Sequence, residues 1–129
     1  MLRKRAKKIS REQMLSSRPV RNRFLAWKER GERVFVIFKR RSSKGAVLLS
    51  KIFRIPEEKI VELDPIGARV WKMCDGQSTV EGMIETLSEE NRLEYKEAEV
   101  ALLQFLKTLA KRGMIGFQVP TADEADQRG

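Results

Sequence analysis

The chain has 129 residues, 41% of them apolar and 35% charged, with a net charge of +9; that is room for one compact domain of about 100 residues with tails. One cysteine and no histidine exclude an internal disulfide, a four-ligand Cys/His zinc site and a histidine general base. The charged N-terminus is not followed by an apolar run of signal-peptide length, and no stretch approaches the roughly 18 apolar residues of a membrane span, so a soluble, cytoplasmic protein without metal or cofactor is expected.

Taken in chain order, residues 1–21 read as a basic arm carrying a short helix. Ser10 and Gln13 have capping-box spacing for a helix over residues 11–16, which ends near Arg18 because Pro19 follows. Residues 24–29 and 33–39 are strand-like, the second rich in β-branched and aromatic residues, and Gly31 sits at the turn of a hairpin between them. Residues 40–56 form a basic insertion whose second part, AVLLSKIFRI, places Val47, Leu48, Ile52 and Ile55 near one helical face. Pro56 stops it, and residues 59–63 form a third strand.

The block at residues 61–76, VELDPIGARVWKMCDG, holds a strand end, a helix start and a helix stop. Asp64 is placed to accept from exposed backbone N–H groups as an N-cap, Pro65 suits the first helical position, and Asp75-Gly76 marks the turn after the helix. Ile66, Val70, Trp71 and Cys74 fall on a common side. Ser78 and Glu81 have the S-x-x-E spacing of a second capping box, ahead of Val80, Met83, Ile84 and Leu87 at helical spacing. Gly82 inside that helix points to tight packing. A third helix spans about residues 95–112, closed by Gly113, with Ala98, Leu102, Phe105 and Leu109 as its core stripe. Residues 114–119 read as a short extended segment and 120–129 as a disordered acidic tail. The pattern is α+β and winged-helix-like: a small three-stranded antiparallel sheet followed by a three-helix bundle, in a domain spanning residues 22–119.

Charge divides the chain. Residues 1–60 hold 19 Lys/Arg against 5 Asp/Glu, and residues 61–129 hold 8 against 13. A basic first half suggests an acidic partner, or a solubilising tail.

Three pieces, LDPIGARVWKMCDGQSTVEGMIETL, the helix with EVALLQFLKTLAKRG, and the closing MIGF, together resemble the PqqD family. The resemblance implies a three-stranded sheet joined to three helices, and a peptide chaperone of the kind called a RiPP recognition element. It further implies docking of a precursor (leader) peptide as an added strand on the third strand, in a groove walled by the third helix, and presentation to a modifying enzyme such as a radical S-adenosylmethionine maturase. On that reading the peptide-binding residues are Ile60, Val61, Glu62 and Leu63 on the strand and Val100, Leu103, Gln104 and Lys107 on the helix, with Lys107 attracting an acidic peptide side chain. The residue pattern itself leaves two uses for Val100 and Leu103: a groove wall, or cover for the closing segment or the N-terminal helix. Relative to the compact form of the family, the insertion 40–56 and the basic arm are departures.

Other features have plainer readings. Cys74 is a small packing residue, since no histidine activates it; Trp71 belongs to the core, while Trp27 either packs on the helices or faces a partner. Asp64 and Asp75 are capping and turn residues and form no catalytic pair. Neither a nucleophile–base pair nor a phosphate loop appears, so an enzyme is not expected. Residues 1–8 and 44–54 are candidates for contact with anionic membrane or nucleic acid, and the unpaired third-strand edge could pair with a second copy in a homodimer. Winged-helix-type nucleic-acid binding is the alternative function. Against it stand Glu81, Glu85, Glu89, Glu90, Glu94, Glu97 and Glu99 on the second and third helices, which would repel phosphates.

Overall fold

The computed structural model describes residues 9–39 and 58–120; the basic residues 1–8, the insertion 40–56 and the tail from residue 121 lie outside the described residues. The elements are α1 (Arg11–Ser16), β1 (Arg18–Arg21), β2 (Ala26–Arg30), β3 (Arg33–Lys39), β4 (Glu58–Leu63), α2 (Pro65–Met73), α3 (Val80–Asn91), α4 (Tyr95–Lys111) and β5 (Ile115–Gln118). The fold class is α+β. β2, β3 and β4 form an antiparallel sheet in that order, and β1 pairs with β5 in a second sheet of two strands, an addition to the expected architecture. Two compact units result, one from Asn22–Lys72 and the other from the chain on either side of it.

Within Asn22–Lys72, the hairpin turns on Gly31 and Glu32, with Arg30 opposite Arg33. Gly31 has φ +59°, the positive value that a two-residue II′ turn needs at its first central position. Alternation then sorts the sheet into two faces. Val34, Val36 and Leu63 are buried, and Trp27, half-buried and opposite Val36, meets Trp71 of α2 edge to face at 6.1 Å. Trp27 therefore packs on a helix, one of the two alternatives its sequence context leaves open. The other face carries Ala26, Lys28, Phe35, Ile37, Ile60 and Glu62.

The start of α2 follows the sequence closely. Asp64 Oδ1 accepts from the Gly67 N–H at 2.7 Å, satisfying a donor that the first helical turn leaves unpaired. Ala68, Val70, Trp71 and Cys74 are buried, whereas Ile66 is 54% exposed. Expected on the inward side with Val70 and Trp71, Ile66 instead lies in the first turn at the rim of the buried arc.

In the other unit, the Ser10–Gln13 capping box forms as expected, with both reciprocal bonds. The chain does not simply end a helix at Pro19. Arg18–Arg21 continue as β1, in register with β5 from Arg18↔Gln118 to Arg21↔Ile115. The opposite side of β1 is bonded too: the Arg21 N–H donates to the Cys74 carbonyl at 2.9 Å, the Gly76 N–H donates to the Pro19 carbonyl at 2.9 Å, and Val20 bridges Asp75. Gly76 sits at φ +78°, a conformation that L side chains rarely adopt, and an added Cβ would crowd Val20 Cγ2 at 3.3 Å.

The helix α3 is capped by Thr79, not Ser78. Thr79 Oγ1 accepts from the Gly82 N–H at 3.1 Å, while the Ser78 and Gln77 N–H groups are engaged by Asp75 Oδ1 at 3.2 and 2.8 Å. Asp75 thus uses Ser78 in its own turn and shifts the helix start by one residue. Gly82 fits this arrangement, because a Cβ there would come within 3.3 Å of the capping hydroxyl. On α4 the buried positions are Ala98, Glu99, Leu102, Leu106 and Leu109. Leu106 replaces the expected Phe105, which is half-buried.

Candidate functional site

β4 is the outer strand of its sheet: β3 lies along one side, and no strand pairs with the other among the described residues. Its register to β3 runs unbroken from Val34↔Leu63 to Lys39↔Glu58. The hairpin fixes which backbone groups face outward. In a two-residue hairpin the closing residues, here Arg30 and Arg33, exchange both backbone hydrogen bonds, and the direction alternates residue by residue. Arg33, Phe35 and Ile37 therefore bond toward β2, and Val34, Val36 and Phe38 toward β4. Their partners Leu63, Val61 and Lys59 are committed to β3. The N–H and C=O groups of Ile60 and Glu62 point away from the sheet, as an added strand would need.

The side chains of these residues divide in the same way. Leu63 is buried and Val61 half-buried, whereas Ile60 is 56% exposed. Glu62 is also exposed and receives the Arg33 guanidinium at 2.8 Å on Oε2. An exposed isoleucine on an open strand edge is the arrangement that natural sheets ordinarily blunt with charge or proline.

The α4 residues of the predicted site lie in the other unit. Val100 is 54% exposed, Gln104 and Lys107 are exposed and Leu103 is half-buried. They share an outward-facing side of α4, apart from the buried positions Ala98, Leu102 and Leu109. The acidic side chains are less uniform than the sequence suggests. Glu81, Glu85, Glu89, Glu90, Glu94 and Glu97 are exposed, but Glu99 is buried and gripped by Arg11 of α1 through two bonds of 2.9 and 3.0 Å. The Arg11 guanidinium holds the Glu99 carboxyl below its ordinary range. Glu99 is accordingly a tether for α1 and presents no charge to a nucleic acid.

The Cys74-Asp75-Gly76 turn is also structural. Burial pushes the Cys74 thiol up to about 12, which leaves it protonated and unreactive at neutral pH. Asp75 is held below the ordinary carboxylate range, chiefly by the Gln77 N–H. The described residues contain no cluster of three or more side chains suited to a metal ion and no helix long and apolar enough to cross a membrane.

A family model described as coenzyme PQQ synthesis protein D (PqqD) matches residues 51–115, half of the chain. The chain belongs to the PqqD family. The matched region contains β4, α2, α3 and α4 and reaches the first residue of β5, so it includes both sets of predicted site residues and leaves out the β2–β3 hairpin. Proteins of this family are non-catalytic, peptide-binding partner proteins of PQQ biosynthesis. No curated protein and no solved structure matches the chain.

Proposed function

We propose that this chain is a peptide-binding adaptor that docks a ribosomal precursor peptide by strand addition on β4 and presents it to a modifying enzyme, such as a radical S-adenosylmethionine maturase. The observation that carries the reading is the edge of β4 that no other described strand pairs with, where the backbone groups of Ile60 and Glu62 face outward in a strand whose other side is fully paired. Main-chain bonds along that edge supply affinity that is indifferent to sequence, and the alternate side chains supply selectivity. Val100, Leu103, Gln104 and Lys107 on α4 are proposed as a second set of contacts, Lys107 toward an acidic peptide side chain.

Membership of the PqqD family supports the class of ligand, and the chain's own residues support the edge. A titration tests both. Isotope-labelled full-length protein is mixed with short peptides selected against it from a random display library, and backbone resonances are followed. Shifts at β4 and at the α4 positions are expected. Shifts confined elsewhere, or a library that yields no binder, would overturn the assignment. Shifts at β4 alone would remove the α4 residues from the site.

A further inference from the structure

The outer face of the three-stranded sheet is organised in rows that end at β4. One row runs Ala26, Ile37, Ile60, and the next runs Lys28, Phe35, Glu62. Ile37 and Phe35 are half-buried, whereas Ile60 is 56% exposed; the apolar row stops at an uncovered side chain. An added strand continues each row by one residue, because directly opposite residues in a pair of strands stand on the same face and touch. The peptide residue opposite Ile60 would therefore cover it, and the residue opposite Glu62 would meet a carboxylate.

Resting on the strand-addition reading, we propose that the peptide accepted at β4 carries an apolar residue opposite Ile60 and, two positions away, a lysine or arginine opposite Glu62. The spacing of two holds whether the peptide runs parallel or antiparallel, since residues on one face of a strand alternate. Glu62 has capacity for the second cation. Its side chain is 50% exposed, and Arg33 is bonded to Oε2 alone, whereas a carboxylate can accept several donors. Ile60 and Glu62 are also the residues whose backbones face outward, so they set the register by both main chain and side chain.

The same pattern argues against a second copy of the chain as the occupant. An antiparallel pairing of two β4 edges centred on Ile60 brings Glu62 opposite position 58 of the copy, another glutamate, and like charges directly opposite are destabilising. Centring the pair on Val61 sets Ile60 against Glu62, an apolar side chain against a carboxylate. The β4 edge is complementary to a strand of different composition, apolar and basic at alternate positions.

Display selection with the full chain tests this, using the wild-type protein, Glu62→Lys and Glu62→Gln. Peptides selected on the wild type are expected to share an apolar residue and a Lys or Arg two positions apart. Replacing that basic residue by glutamate is expected to weaken binding about two- to fivefold, the scale of one cross-strand pair. Glu62→Lys should shift the selected residue to Asp or Glu, and Glu62→Gln should abolish the preference without inverting it. Because the Arg33–Glu62 pair is exposed, both variants retain the fold, which a melting curve checks. Peptides that protect the β4 amides but show no preference opposite Glu62 would overturn the proposed composition and leave strand addition standing. Peptides that bind without touching the β4 amides, or pairing of two chains through β4, would overturn strand addition itself and the composition with it.

Discussion

β1 and β4 are both short strands at the rim of small sheets, and they are finished in opposite ways. β1 is bonded along both sides, to β5 on one and to the Cys74-Asp75-Gly76 turn on the other. Pro19 fits there because its carbonyl is used by Gly76 while it has no N–H to leave unsatisfied. Among the described residues β4 is paired on one side only, and it carries an exposed isoleucine at its open edge. The difference teaches where recognisable sequence and function separate. The C-D-G letters of the family pattern close β1, whereas the edge proposed to bind a peptide is written in Glu58–Leu63, a stretch that enters the recognisable block only at Val61.

The largest effect that sharpens this contrast comes from proline on β4. Val61→Pro removes a bond to β3 and leaves the facing carbonyl of Val36 unsatisfied, a cost of roughly 2–4 kcal/mol expected in chemical denaturation. Ile60→Pro removes only an outward N–H, so stability should fall far less while peptide binding is lost. Equal losses of stability would mean that the outward parity assigned to Ile60 is wrong.

Next in size is Gly76→Ala, which should destabilise by roughly 1–2 kcal/mol through the left-handed backbone alone, with crowding against Val20 Cγ2 adding to it. Peptide affinity should not change. A loss of affinity without a loss of stability would move function into the C-D-G turn.

The smallest effect expected is a pH dependence at the Arg11–Glu99 tether. Glu99 titrates below its ordinary range when folded because Arg11 donates to it, so the folded state binds that proton less readily than the unfolded chain. The pair's contribution is therefore complete above the unfolded carboxylate pKa and is lost as pH falls through the lowered folded value. Arg11, raised above its ordinary value by the same partner, stays charged throughout. Thermal melts of Glu99→Gln should lie below wild type at neutral pH and converge with it in acid. A constant gap across pH would show that the tether contributes through packing.

Local grammar made most of the scaffold legible. Ser10 with Gln13, Asp64 with Pro65, and Gly31 each act within three residues of the bond they make, and each behaves as its spacing indicates. The sequence is ambiguous where two neighbours compete for one role. Ser78 and Thr79 both carry hydroxyls; Thr79 Oγ1 caps α3, while the Ser78 N–H is held in the turn made by Asp75. Phe105 and Leu106 are both apolar at the edge of the α4 stripe, and the docking of neighbouring elements selects Leu106. Long-range partners left no trace at all. β1 pairs with a strand at the far end of the chain, and Arg11 meets Glu99 across 88 residues, without any pattern in the residues between. The candidate site falls between these cases: Ile60 and Glu62 could be named from resemblance, but which of the β4 amides face outward required the hairpin register of β2 and β3.

Amide hydrogen exchange along β4 tests the central claim most directly. Without peptide, Lys59, Val61 and Leu63 should exchange slowly and Ile60 and Glu62 fast; adding a selected peptide should slow Ile60 and Glu62 and leave the others nearly unchanged. Binding with no new protection at Ile60 and Glu62 would contradict strand addition on β4.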